Sequence, residues 1–327
     1  MGSAQAQSRI GEPPLGVVSG VSQTVQNLAP WLKRIHDAAH QSAYVGTFVV
    51  TTGHAMFSAK IWHVCEGEQQ LERVDALSGT PRRTYRRNDQ VVTYMPQTRL
   101  AIAEKRESLG LFASMLDRAD SSIVQFYQLQ ALGHDRVAGF VTDVVELKPR
   151  DNLRFGYRIW TVQSTGLVVK LQTIDSARGV LEQAAFSELQ FARPLSWLKL
   201  SAMMDNADGY EIRKLDVNHT TADQEGWSLQ GEIPGFRSVS GYKHSTAAQT
   251  ATNGSMQWIF SDGLASVSLF IEPFDEARHL RTQPHETFAV GATQMLTRRV
   301  GAWWVVAVGE VPMQTLEMFA MGLERKK

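Results

Sequence analysis

The sequence has little of several features that would announce a particular class of protein. It contains a single cysteine, Cys65, so an internal disulfide and a metal site built from several thiolates are both excluded. Its 33 basic and 33 acidic residues balance, and a chain without net charge has no overall field that would attract nucleic acid. The longest apolar run, residues 301–309, is far shorter than the ~18 residues that a membrane-spanning helix needs. The composition therefore indicates a globular protein that does not bind nucleic acid.

Catalytic motifs are missing as well. The sequence has no Gly-rich phosphate loop, no Walker-type Gly-Lys-Ser/Thr and no G-x-S-x-G, which removes several large enzyme classes. His36 and His40 have the spacing of two zinc ligands on a helix, but a third ligand and the glutamate of the hydrolase motif are absent. Ser261 and Asp262 are adjacent in the chain and do not offer the geometry of a catalytic triad. We expect no catalytic residue, no metal and no cofactor.

The N-terminal half has the pattern of one helix followed by antiparallel strands. Leu28, Leu32, Ile35 and Ala39 recur at helical spacing, which predicts a helix over residues 25–42. Strands are predicted, by period-two alternation, at 45–51, 55–64, 91–95, 99–103, 140–149, 154–162, 167–174 and 181–191. Two helical stretches, Leu109–Leu116 and Ile123–Leu132, are predicted to interrupt them. This pattern favours an α+β fold in which a strongly curved sheet lies over helices and could enclose an apolar cavity.

A change of pattern predicts where the two halves meet. Residues 192–208 mix proline, glycine and polar residues, which is typical of a linker. We predict a tag remnant or disordered N-terminus over 1–23, a first domain over 24–193, a linker over 194–210 and a smaller, β-rich α+β domain over 211–327. In the second domain, strands are predicted near 227–232, 236–242, 256–260, 264–272 and 301–309, with a final helix from Pro312.

One short stretch of the second half, "IFSDGLASVSLFIEP" at 259–273, places a serine and an aspartate before an alternating strand. Ser261-Asp262-Gly263 has the length and chemistry of a hairpin loop with glycine in the left-handed conformation. We therefore interpret the serine and the aspartate as turn residues and not as a nucleophile with its carboxylate.

The densest basic run is "RRTYRR" at 82–87. On a strand, Arg83 and Arg87 would share one face and Arg82 and Arg86 the other. Guanidinium groups suit bidentate contacts with phosphate or carboxylate. Two interpretations stay open: a solvated strand that pairs with nearby acids, or an anion-binding site.

The tryptophans of the strands, Trp62, Trp160, Trp303 and Trp304, leave a similar choice open. Large aromatic side chains on strands usually fill a core. Some of these side chains could instead line a cavity that binds an acyl chain.

Several blocks of sequence carry a family likeness. "YVGTFVV", "LERVDALSGTPR" and "FSDGLASVSLFIE" together resemble the RseB/MucB family, which consists of periplasmic negative regulators of an envelope-stress sigma factor of the sigma-E or AlgU type. The resemblance implies an N-terminal domain similar to lipoprotein carriers, in which a half β-barrel wraps over helices around an apolar cavity. It also implies a smaller β-rich C-terminal domain.

The resemblance further implies a function that is not enzymatic. The chain would bind the periplasmic segment of a membrane-spanning anti-sigma factor similar to RseA or MucA and protect it from regulated proteolysis. Lipopolysaccharide or another lipid would release it. A periplasmic carrier of lipid or lipoprotein is the alternative. The oligomeric state, including a homo-oligomer, stays open.

Candidate site residues follow from this interpretation. For an anionic lipid headgroup we assign Arg82, Arg83, Arg86 and Arg87. For an apolar cavity we assign Trp62, Phe112, Met115, Phe126 and Trp160. For contact with the partner segment we assign Trp197, Tyr210, Trp258, Leu264 and Phe270.

Overall fold

The protein is built mainly of β-strands, with a few helices. The structure is a computed structural model, and it describes residues 28–53, 55–67, 69–105, 123–191, 196–215, 217–244, 255–279 and 285–326. The predicted helix Leu109–Leu116, with Phe112 and Met115, lies outside the described residues. The described strands form a 12-stranded sheet, a 7-stranded sheet and a two-stranded sheet.

The 12-stranded sheet follows helix α1, which covers Leu28–Gln41. Its strands are β1 Tyr44–Thr52, β2 Ala55–Glu66, β3 Gln69–Ala76, β4 Arg83–Arg87, β5 Gln90–Met95, β6 Leu100–Lys105, β7 Tyr127–Val137, β8 Phe140–Pro149, β9 Gly156–Val162, β10 Val168–Ile174, β11 Val180–Gln190 and β12 Glu211–Lys214. They lie in the order β12-β6-β5-β4-β3-β2-β1-β11-β10-β9-β8-β7, with β1 and β11 adjacent near its middle. Neighbouring strands are antiparallel, except that β12 runs parallel to β6.

Both faces of this sheet bury apolar side chains. The stripe of α1, with Leu28, Leu32 and Ile35, packs in one cluster with Ile159 of β9, so the helix predicted from spacing is confirmed. The next residue of β9, Trp160, belongs to a second cluster. Because consecutive residues of a strand point to opposite faces, the two clusters lie on opposite sides of β9.

The predicted helix Ile123–Leu132 is wrong over most of its length. Helix α2 covers only Ile123–Phe126, and β7 begins at Tyr127. In β7, Tyr127 and Leu129 are buried while Gln128 is exposed, which is the period of a strand and not of a helix. Phe126 and Leu129 suggested a helical stripe, but the alternation that follows decides the structure.

The segment predicted as a linker, 194–210, contains helix α3 over Trp197–Asp205, which begins at the N-cap Ser196. Leu200 and Met204 of α3 are buried in a cluster with Tyr94 of β5, and the Tyr94 hydroxyl donates to the Met204 carbonyl oxygen at 2.6 Å. The following strand, β12, lies in the segment predicted for the second domain but adds to the first sheet. The chain therefore stays attached to the first sheet as far as Lys214.

The 7-stranded sheet has the order β13-β15-β16-β17-β20-β19-β18. The strands and helices of this half are β13 Val217–His219, β14 Trp227–Leu229, β15 Arg237–His244, β16 Ser255–Ser261, β17 Ser266–Pro273, α4 Glu276–His279, β18 Thr287–Val290, β19 Thr293–Val300, β20 Trp303–Gly309, α5 Met313–Gly322 and β21 Leu323–Arg325. Strands β14 and β21 pair with each other. Helix α5 packs Leu316 and Phe319 against Leu269 and Val305 of the sheet. Of the helices that the structure describes, none is long and apolar enough to cross a membrane.

Candidate functional site

The turn between β16 and β17 leaves its own sheet and enters the core of the first. It comprises residues 262–265, because β16 ends at Ser261 and β17 begins at Ser266. The Asp262 carboxylate accepts the backbone N–H groups of Leu264 at 2.9 Å and Ala265 at 2.7 Å. Gly263 has a φ of 99°, a conformation that favours glycine. Leu264 is buried in the cluster formed by α1 and the first sheet.

A buried ion pair joins this turn to the first sheet. Arg154 Nη1 lies 2.5 Å from Asp262 Oδ2, and both side chains are fully buried. The Tyr127 hydroxyl donates to the same carboxylate oxygen at 3.1 Å. Burial raises the pKa of Asp262, while hydrogen bonds from the turn's backbone and the charge of Arg154 oppose this shift. Asp262 therefore anchors one sheet to the other.

Aromatic rings enclose the guanidinium of Arg154. Its centre lies 4.5 Å from the Phe126 ring and 5.2 Å from the Phe236 ring, and its Nη2 donates to the Pro234 carbonyl oxygen at 2.6 Å. Gly235 has a φ of 83°, and a Cβ at this position would lie 2.8 Å from Phe126. Only glycine fits this close approach without a shift of the ring. We call Phe126, Tyr127, Arg154, Gly235 and Asp262 the junction.

A second contact between the sheets carries two carboxylates. A Cβ at Gly291, in the turn between β18 and β19, would lie 2.7 Å from Glu182 Oε2 and 2.9 Å from Thr52 Cγ2. Burial raises the pKa of Glu182, and a hydrogen bond from the Ala292 backbone opposes the rise. Burial also raises the pKa of Glu310, and the charge of Glu182 adds to this rise. The pKa of both carboxyls is therefore raised at this contact.

The predicted arginine site is partly used by internal ion pairs. Arg83 Nε lies 3.3 Å from Asp75, and Arg87 Nη1 lies 3.2 Å from Asp205 of α3. Arg86 donates to the Asn88 carbonyl oxygen at 3.0 Å, and Arg82 is exposed. The structure thus places the four arginines on or beside β4 but gives two of them carboxylate partners.

The residues predicted to line an apolar cavity lie in separate surroundings. Trp62 lies under the Arg73 guanidinium at 4.7 Å, a contact that follows from the pairing of β2 with β3. Trp160 is buried in a cluster of strand side chains, and its Nε1 donates to Asp135 at 2.9 Å. Phe126 packs on Arg154 in the junction. The structure does not bring these three rings together.

The residues predicted to contact a partner lie in four places. Trp197 and Tyr210 both pack at the α3 cluster, where Tyr210 makes an edge contact with Tyr94 at 5.0 Å. Leu264 is buried in the first sheet's core. Trp258 pairs with Leu269 across β16 and β17, so Phe270, the next residue, lies on the opposite face. Phe270 is 37% exposed.

Comparison with known proteins covers both halves of the chain. Residues 27–204 match the MucB/RseB N-terminal domain model, and residues 221–324 match the MucB/RseB C-terminal domain model. The Pseudomonas aeruginosa sigma factor AlgU regulatory protein MucB is 26% identical, with 94% of this chain and 95% of that protein covered. The Haemophilus influenzae sigma-E factor regulatory protein RseB is 21% identical, with 87% of each covered.

Solved structures show the same fold. A crystal structure of MucB in complex with MucA(peri) has a TM-score of 0.69 at 22% identity, covering 92% of this chain and all of that one. The structure of the Pseudomonas aeruginosa MucA/MucB complex has a TM-score of 0.70, also at 22% identity, and covers 91% of this chain and 98% of that one. The two domain matches extend over most of the sequence. The chain belongs to the MucB/RseB family.

Proposed function

We propose that this protein is a non-enzymatic periplasmic regulator that binds the periplasmic segment of a membrane-spanning anti-sigma factor similar to MucA. The observation that carries the proposal is the match of both domain models to one chain. Two further findings support it. The curated relatives are sigma-factor regulatory proteins, and a structure with the same fold over 92% of the chain is a complex of MucB with MucA.

The proposal includes a release mechanism. In it, the first sheet with its helices acts as a lipid-sensing half-barrel, the second sheet holds the partner segment, and bound lipid loosens that hold so that a protease reaches the segment. A ligand shifts such an equilibrium only if it binds the two states with different affinity. The junction supports this coupling, because Asp262 of the second sheet is held by Arg154 and Tyr127 of the first.

Calorimetric titration tests partner binding. The partner's periplasmic segment is titrated into the full chain, since β12 and the junction tie the second half to the first sheet. We expect saturable binding with a stoichiometry of one segment for each chain. A segment of the same composition and scrambled order is the control. Equal heats for the two segments would refute the regulator proposal.

A second experiment tests the anion site. Arg82 and Arg86 are the two arginines of the run that the structure does not show paired with a carboxylate. We expect Arg82→Ala with Arg86→Ala to weaken lipopolysaccharide-induced release of the segment by about tenfold, because each guanidinium lost removes a charge-assisted contact to phosphate. Binding of the segment without lipid should not change. Arg213→Ala, at an exposed arginine of β12, is the control; the same loss in this variant, or no loss in the double variant, would rule out the assignment.

A further inference from the structure

The second sheet has a groove beside β15 to which the match with the family assigns no role. It is lined by residues 219–224 on one side and 238–241 on the other, together with Trp258, and it has a volume of about 610 Å³. Volumes of this size are typical of binding sites. We call it the edge groove.

The edge groove exists because β13, the strand that pairs with β15 on this side, is shorter than β15. Strand β13 pairs only with Tyr242–His244, and after the hydrogen bond from Thr220 N to Gly241 O at 2.9 Å the chain turns away. In the described part of the chain, no strand pairs with Ser238–Ser240 on this side. A sheet edge of this kind is a template for another strand.

The backbone at the edge groove is also irregular. The register of β15 with β16 shifts between Ser238 and Ser240, which leaves Val239 without a directly opposed residue. Val239 is 39% exposed. A bulge of this kind redirects side chains at a sheet edge. It therefore presents an apolar side chain beside the open backbone.

Two serine hydroxyls of β15 differ in their partners. Ser240 Oγ is shielded from solvent and makes no hydrogen bond to any described group, whereas the neighbouring Ser238 Oγ accepts from Trp258 Nε1 at 2.7 Å. The Ser238 hydroxyl therefore fixes the Trp258 ring at the edge groove.

The charges of the residues that line the edge groove indicate which class of ligand it binds. Among the residues that line it, Asp223 is the one acid and none is lysine or arginine, and Asp223 is paired with Lys326. A phosphate-rich lipid headgroup would therefore find no lysine or arginine in this lining, whose one other ionisable residue is His219. An extended, uncharged peptide fits both features of the groove. Its backbone pairs with the open edge, and an apolar side chain packs on Val239.

We propose that the edge groove binds an extended, uncharged stretch of the partner's periplasmic segment as an added strand beside Ser238–Ser240. The site rests on the proposed function and specifies where and how the partner is held. Main-chain hydrogen bonds to the edge give affinity in this mode, and alternate side chains give specificity. At about 3.3 Å per residue, Ser238–Ser240 pairs with roughly three partner residues.

An N-methyl scan of the partner segment tests the added-strand binding mode without changing the protein. The tightest binder among overlapping peptides from the partner's periplasmic segment is methylated at one backbone nitrogen at a time. In an added strand, alternate amides face β15. We expect losses of about tenfold at every second position of one short stretch and little change between them, since each methyl removes a hydrogen bond and adds a clash. Equal effects at consecutive positions would overturn the added-strand mode.

A matched pair of variants tests whether the partner segment binds at the edge groove. Val239→Pro removes one backbone N–H from the Ser238–Ser240 segment, and Ala289→Pro makes the same change on the exposed strand β18 at the other edge of the sheet. We expect Val239→Pro to weaken segment binding by about tenfold and Ala289→Pro to have little effect. Circular dichroism confirms folding, and Ser238→Leu, which adds bulk beside Trp258 in the groove, replaces Val239→Pro if that variant does not fold. Wild-type affinity in a folded groove variant would overturn this site and leave the proposed function standing. Failure of the wild-type chain to bind the segment would overturn both.

Discussion

Asp262 and Arg154 are two fully buried charges that come from different sheets. We expect Asp262→Ala to lower the free energy of unfolding by roughly 1.5–3 kcal/mol, because the buried guanidinium loses one charge-assisted hydrogen bond, while Asp151, 2.9 Å from Arg154 Nε, remains as its second carboxylate partner. Urea denaturation of the full chain measures this loss. Glu211→Ala breaks the exposed pair with Arg213 and is the control, with an expected change of no more than ~1 kcal/mol. A loss in Asp262→Ala no larger than the control's would show that the pair does not hold the junction together.

Glu310 makes a prediction about pH at the residue scale. Its pKa is raised above the ordinary value of 4.5 by burial and by the charge of Glu182. A carboxyl whose pKa is higher in the folded chain stabilises the fold below its ordinary pKa, and this contribution is lost as the pH rises through the raised value. We therefore expect Glu310→Gln to raise the thermal midpoint by about 1–3 °C near neutral pH. The gain should shrink as the pH falls toward 4.5.

Glu317→Gln is the control for this experiment, because Glu317 is exposed on α5. Thermal unfolding followed by circular dichroism at several pH values measures both variants. A gain in Glu310→Gln that is the same at acid and neutral pH, or that Glu317→Gln reproduces, contradicts the carboxylate contact.

At the scale of elements, two leucines of α3 allow the contribution of packing to stability to be measured apart from that of helix propensity. Leu200 is fully buried against the first sheet, whereas Leu198 on the same helix is 79% exposed. We expect Leu200→Ala to cost about 2–5 kcal/mol of unfolding free energy and Leu198→Ala almost nothing, because only the first leaves a cavity. Urea denaturation of the two variants measures the difference. Similar small costs for both would mean that α3 is a loose connection between domains.

Short-range patterns explain which elements the sequence could predict. The α1 stripe and the alternation of Val267, Leu269 and Ile271 are local signals, and the structure places those side chains in cores. Helix α3 was missed because its proline-containing, polar flanks have the composition of a linker, although Ser196 is a cap signal. Strands β18 and β19 were missed as well, since β18 is exposed at every position.

The junction could not be predicted from sequence in the same way. Arg154 and Asp262 are 108 residues apart, and no local period connects them. The strand predicted at 154–162 would begin at Arg154, but β9 begins only at Gly156, so the strand alternation does not extend to Arg154. The aspartate was recognised as a turn residue, which it is. The bond of Asp262 with Arg154, which joins the two sheets, depends on how the sheets pack against each other.

At the scale of the whole molecule, the two sheets are connected at more than one place. Leu264 and Asp262 enter the first sheet's core, the turn at Gly291 lies against Glu182 and Thr52, and Thr315 Oγ1 donates to the Leu153 carbonyl oxygen at 2.7 Å. A shift in one sheet therefore alters buried contacts of the other. In this account, bound lipid changes partner affinity through these contacts, and the coupling is reciprocal.

The most direct test is a calorimetric titration of the partner's periplasmic segment into the full chain with and without lipopolysaccharide. We expect the segment to bind the lipid-free chain and to bind the lipid-loaded chain at least about tenfold more weakly, which corresponds to a coupling of ~1.4 kcal/mol. Equal affinity in the two titrations, with lipid binding demonstrated in the same sample, would contradict the account.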